Sequence, residues 1–127
     1  GKGEVSLEHL LGKEQMGDKC STFSRVTIKP GSSLGYHQHK GNSETYYILQ
    51  GKGVYNDNGT EIEVGPGTIA FCPDGEFHGL SNENGTQDLV FMALIINSRI
   101  RTRTRRAMQR RHLGHRFHSL YISKSSA

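Results

Sequence analysis

Hydrophobic residues are scarce in this chain, 33% of 127 positions, and proline occurs only three times and cysteine twice. No stretch approaches the roughly 20 consecutive apolar residues that a bilayer-spanning helix needs, which excludes that kind of span. The opening Gly1-Lys2-Gly3-Glu4 has no apolar signal core, so a cytoplasmic, soluble domain is expected rather than a secreted one. Cys20 and Cys72 are too few and too far apart for a disulfide framework or a zinc ribbon. Each reads as a small buried hydrophobe. Against this thin apolar content stand 16 glycines, a balance that favours many short strands joined by turns over long helices.

Acidic residues are missing from one part of the chain altogether. All 12 lie within residues 1–98 beside six lysines and Arg25, a balance of −5. Residues 99–127 carry eight arginines, Lys124 and no acid, +9, and together the two parts make the net +4. The basic character of the whole therefore belongs to its last 29 residues, and the body is mildly acidic. The chain accordingly divides into an N-terminal segment, 1–19, a β-rich body, 20–98, and an Arg-rich tail, 99–127. In the tail, Arg101 to Arg106 present no apolar face, and Met108, Leu113, Phe117, Leu120, Tyr121 and Ile122 keep no sustained period. So abrupt a change reads as a segment of different origin, such as vector-derived or out-of-frame sequence fused after the last strand.

The body reads as about eight strands. Phe23 to Ile28 ends at Pro30-Gly31; Leu34–His39 and Glu44–Leu49 follow; Gly51-Lys52-Gly53 punctuates before Val54-Tyr55. Asn56-Asp57-Asn58-Gly59 is a hairpin signal leading into Thr60–Val64. Thr68–Cys72, Phe77–Ser81 and Leu89–Ile96 complete the set, at the close, even spacing of a β-sandwich or small barrel. Residues 4–16, with Leu7, Leu10 and Leu11, read either as a short helix or as a strand exchanged with a neighbouring copy.

Two spaced patterns carry chemistry. One runs Gly31, His37, His39, Glu44, Gly51; the other Gly67, Pro73, Gly75, His78, Asn82. Strand side chains alternate between faces, so His37 and His39 point the same way and Gln38 opposes them. Glu44 opens the next strand after a short turn and returns to the same cavity, while Pro73 sets a rigid turn ahead of His78. Three imidazoles and a carboxylate form a mixed nitrogen–oxygen set suited to one divalent Mn, Fe, Ni or Zn ion rather than to Mg or Ca. Leaving those four polar groups together in an apolar barrel without a cation would be costly. Tyr46 shares the strand parity of Glu44, which makes it a candidate pocket or core residue. His9 reads as an ordinary hydrogen-bonded histidine. His112, His115 and His118 have no accompanying carboxylate and drift around a helix, so they read as solvated tail residues.

The two patterns, taken together over residues 31–82, resemble both signature motifs of the cupin superfamily, without insertion in either. That resemblance implies an all-β fold, a small antiparallel β-barrel or jelly roll (a double-stranded β-helix) with one metal inside. It assigns the ligands to His37, His39, Glu44 and His78, and gives Asn82 a turn-supporting role. It also implies a homodimer, formed by pairing sheets or by exchanging a strand from residues 4–11. Four protein ligands on an octahedral ion leave two positions for water, ligand or dioxygen. The first expectation is thus a metal-dependent enzyme, a dioxygenase, decarboxylase or isomerase, acting on a small oxygenated or carbonyl-containing molecule, with Glu44 as ligand and base. The second is a non-catalytic module that holds a sugar or effector. Nucleic-acid binding through the tail ranks third, because no stacking aromatics are interleaved with its arginines.

Overall fold

The computed structural model describes residues 1–98 and the backbone of 122–124. The Arg-rich run, with His112, His115 and His118, lies outside the described residues. In chain order the elements are β1 (Val5–His9), α1 (Lys13–Met16), β2 (Cys20–Ile28), β3 (Ser32–Gln38), β4 (Asn42–Gln50), β5 (Gly53–Asp57), β6 (Thr60–Val64), β7 (Thr68–Cys72), β8 (Phe77–Asn82), β9 (Leu89–Asn97) and β10 (Ile122–Lys124). The eight strands expected between residues 20 and 98 are all present, as β2 to β9. The leading segment contributes both a strand and a single helical turn, and β1 pairs with β2 of its own chain from Val5 opposite Ile28 to His9 opposite Ser24. Among the described residues no helix is long and apolar enough to cross a membrane.

The strands form two antiparallel sheets, β1-β2-β9-β4-β7-β10 and β3-β8-β5-β6. Period-2 burial shows why they face each other. On β4 the buried residues are Glu44, Tyr46 and Ile48, and on β7 they are Thr68, Ala70 and Cys72. One core joins Val26, Ile28, Ile48 and Phe91 of the larger sheet to Tyr55, Val64 and Leu80 of the smaller. Burial of these side chains, at about 1.5–3 kcal/mol each, holds the layers together. The Asn58-Gly59 pair closes the expected β5–β6 hairpin, with Asp57 opposite Thr60 and both turn residues at positive φ (52° and 99°), the backbone of a primed two-residue turn.

One irregularity sets the geometry of the site. On β3, Leu34 pairs with Leu80 and His37 with His78, so Gly35 and Tyr36 together oppose the single residue Gly79. This bulge restores parity: in an unbroken strand Leu34 and His37, three apart, would face opposite sides, yet both line the same interior cavity. Gly79 lets the bulge sit down, since a Cβ there would stand 3.2 Å from the Tyr36 backbone.

Candidate metal centre

His37 lies near the end of β3, and His39 follows its last residue. The turn beyond is tied to the turn before β8: the His39 amide donates to the Glu76 carbonyl (3.0 Å), the Gly75 amide to the His39 carbonyl (2.7 Å) and the Gly41 amide to Asp74 Oδ1 (2.8 Å). Pro73 and Gly75 therefore do more than bend the chain, because their turn is hydrogen-bonded to the one that carries His39. Asn58, at the hairpin tip, accepts from the Phe77 amide (2.9 Å) and donates to Glu76 Oε1 (2.7 Å), steadying the start of β8.

These supports bring the four expected side chains together. His39 Nε2 lies 2.9 Å from His78 Nε2 and 3.2 Å from His37 Nε2. Glu44 Oε1 lies 3.0 Å from both His39 Nε2 and His78 Nε2, and 4.0 Å from His37 Nε2. All four ligand atoms fall within 4.8 Å of one another, so the group could hold a metal ion. His39, Glu44 and His78 are buried; His37, with 42% of its side chain exposed, is the cluster's edge toward solvent.

The outward ring nitrogens show how the cluster is poised. His37 Nδ1 lies 2.7 Å from the Gly35 carbonyl and His39 Nδ1 lies 2.7 Å from Asn42 Oδ1. Both partners are acceptors, so in the neutral rings the proton sits on Nδ1 and the Nε2 lone pair is turned inward. His78 Nδ1 meets the Tyr55 hydroxyl at 2.9 Å, a group able to accept the third Nδ1 proton. Three lone pairs and a carboxylate oxygen then converge on one point, an arrangement that a cation satisfies and that neutral rings leave repulsive. Outer partners of this kind fix tautomer and ring orientation at metal sites. The donor set fits a first-row transition ion, imidazole with carboxylate.

Protonation leans the same way. Burial is the largest effect on His78; it lowers the pKa from the ordinary 6.5 against the opposing pull of Glu44, and so favours the neutral ring that a metal needs. The Tyr46 hydroxyl is pushed well above its ordinary range, first by burial and then by the charge of Glu44 and a hydrogen bond to it. The Tyr55 hydroxyl moves the same way, again first by burial. Both phenols stay protonated at neutral pH. Tyr46 also stacks on His78, ring centroids 4.9 Å apart and planes 23° from parallel.

A cavity of about 310 Å³ opens from the cluster between the sheets; His37, His39, Glu44 and Tyr46 line one end, and Leu7, Thr22, Val26, Leu34, Phe91, Ala93 and Ile95 line the rest. Tyr46 lines this cavity and also belongs to the buried core. Asn82 is outside the cluster; its Nδ2 donates to the Ile28 carbonyl (2.9 Å) and the Gln87 carbonyl (2.8 Å), a turn support. His9 is exposed and meets Ser24 Oγ through Nδ1 at 2.8 Å. Cys72 is buried, as expected, its thiol pushed up to about 12 chiefly by that burial; Cys20, expected buried as well, opens β2 and is only partly covered; both are free. Sequence reasoning missed Asn42 and Tyr55. Asn42, three residues after His39 at the start of β4, was within reach of local spacing, whereas Tyr55 meets His78 only through the β5–β8 pairing.

Residues 24–95 match the family described as Cupin domain. An oxalate-binding protein of Thermotoga maritima is 48% identical over 96 residues, 76% of this chain and 78% of that protein. A solved structure from Thermotoga maritima, described as a predicted oxalate decarboxylase, shares 46% identity and superimposes with a TM-score of 0.71 over 76% of this chain and 83% of that one. The polyketide cyclase RemF of Streptomyces resistomycificus, 23% identical with a TM-score of 0.63 over 78% of this chain and 73% of that one, shares the fold alone. With both motifs in one jelly roll and the family match spanning most of the body, the chain belongs to the cupin family.

Proposed function

We propose that this cupin holds one divalent transition ion (Mn, Fe, Ni or Zn) on His37, His39, Glu44 and His78, and acts there as a metalloenzyme on a small carboxylate bearing a neighbouring oxygen. The observation that carries this is the inward convergence of three Nε2 atoms and Glu44 Oε1, with the Nδ1 atoms of His37 and His39 held by acceptors. The names of the Thermotoga maritima relatives, oxalate-binding and oxalate decarboxylase, support the ligand class. When bound, the ion supplies positive charge that anchors carboxylate and carbonyl oxygens and stabilises charge developing on them. Glu44 is the one carboxylate lining the cavity among the described residues, and the proton relay falls to its Oε atoms. Tyr46, next along the same buried face of β4, is kept protonated by its burial and by the charge of Glu44.

A second reading, ligand capture without turnover, has one observation in its favour: Glu44 is itself in the ligand set, so the cavity wall offers no free carboxylate among the described residues. Homodimerisation belongs to either reading and is supported by the exposed Leu7, Leu10 and Leu11 in and just after edge strand β1. The test has two stages. Elemental analysis of the purified protein is expected to give about one transition ion per chain, and substoichiometric, unsaturable metal would overturn the proposal. The loaded protein is then assayed for carbon dioxide release, dioxygen uptake and isomerised product with oxalate and 2-oxo acids. Ligand-dependent thermal stabilisation without product would move the protein to the second reading.

A further inference from the structure

The cavity is built unlike its charged end. Beyond the His/Glu cluster its wall is aliphatic and aromatic, made by Leu7 of β1, Val26 of β2, Leu34 of β3, and Phe91, Ala93 and Ile95 of β9, with the Thr22 hydroxyl as one polar interruption. Among the described residues no lysine, arginine, asparagine or glutamine lines it.

Charge and size then constrain the occupant. A divalent ion together with ionised Glu44 and neutral imidazoles carries a net +1, which a monoanion neutralises. A dianion such as oxalate would leave one negative charge facing a wall with no described cationic side chain and only the Thr22 and Tyr46 hydroxyls, and burying an unpaired charge is expensive. A volume of about 310 Å³ is also more than a two-carbon acid fills, being roughly ten water-sized volumes. Oxalate has no apolar atoms to set against Val26, Leu34 and Phe91, so that surface would gain nothing from its binding.

From this, resting on the metal-site reading above, we infer that the preferred ligand is an aliphatic 2-oxo monocarboxylate: a carboxylate with an adjacent carbonyl oxygen at the cluster and a hydrocarbon body of about three carbons against the β2–β3–β9 wall. Leu7, on the edge strand and half exposed, forms the rim that the far end of the body reaches.

The experiment uses the full chain loaded with Mn(II), its metal content measured first, and calorimetric titration with oxalate, pyruvate, 2-oxobutanoate and 2-oxopentanoate. Pentanoate, which lacks the neighbouring oxygen, serves as a control. Each affinity is divided by that acid's affinity for aqueous Mn(II), which removes intrinsic chelation strength. Binding is expected to tighten by roughly fourfold per added methylene, the ordinary return for burying one. The normalised affinity for 2-oxopentanoate should exceed that for oxalate by at least tenfold, and pentanoate should bind more weakly than 2-oxopentanoate. Leu7→Ala, at an exposed position, should shrink the gain of the longest acid while metal content stays at one per chain. Affinity that is flat or falls with chain length, or a normalised preference for oxalate, would overturn the inference and leave the metal site standing. A chain that retains no Mn(II) would overturn the metal site and this inference with it.

Discussion

His78 and Asn82 stand four residues apart on β8, both buried on the same side of the strand, and their polar atoms meet opposite kinds of neighbour. The Asn82 amide nitrogen has two carbonyl acceptors, and Gly85 lacks a side chain where a Cβ would collide with Asn82 Oδ1. At that end of the strand the amide nitrogen is satisfied within the protein and stitches β2 and the β8–β9 loop together, while Asn82 Oδ1 is buried without a hydrogen-bond partner. His78 Nε2 instead faces another imidazole nitrogen at 2.9 Å and a carboxylate oxygen at 3.0 Å. Acceptors gathered around one point make a site, whereas donors matched to acceptors make structure. Burial alone does not separate the two; the sign of the neighbours does.

That contrast is broken most severely by His39→Ala, which removes the nitrogen within 3.2 Å of all three other ligand atoms. Metal affinity is expected to fall by more than about 100-fold, beyond what outer-shell partners carry, with little loss of metal-free stability; chelator competition and urea unfolding read the two. Asn82→Ala should do the reverse. The buried Ile28 carbonyl and the part-buried Gln87 carbonyl lose their donor, costing about 1–3 kcal/mol in urea unfolding, while the folded fraction still binds one metal. Asn42→Ala and Tyr55→Phe sharpen the comparison by loosening ring orientation without touching a ligand, and each should weaken metal binding about 10-fold. The smallest effect is on pH dependence. Because burial lowers the His78 pKa below the unfolded value of 6.5, the unfolded chain takes up that proton first as pH falls. The metal-free protein should therefore be most stable above about 6.5 and lose this contribution as pH drops toward the folded pKa, and His78→Gln should flatten that part of the profile.

Much of this was legible in the chain because it is local. Asn58-Gly59 closes a hairpin by its own backbone preference, and alternation on β4 puts Glu44, Tyr46 and Ile48 on one face whatever they pair with. The four cluster residues were legible through the spacing of two motifs. Register was not. Simple parity sets Leu34 against His37, and only the bulge at Gly35-Tyr36, seated on Gly79, lets both face inward. The two readings of residues 4–16 could not be separated in sequence because β1 is specified by its partner β2, some 20 residues away. The same non-local pairing hid Leu7 as a pocket rim and Tyr55 as the partner of His78.

The central claim is tested most directly by an anomalous difference map from crystals of the full chain grown with Mn(II). The account predicts one peak within bonding distance of Nε2 of His37, His39 and His78 and of Glu44 Oε1. A map with no density at that point, or rings rotated so that the Nε2 atoms face away from one another, would contradict it.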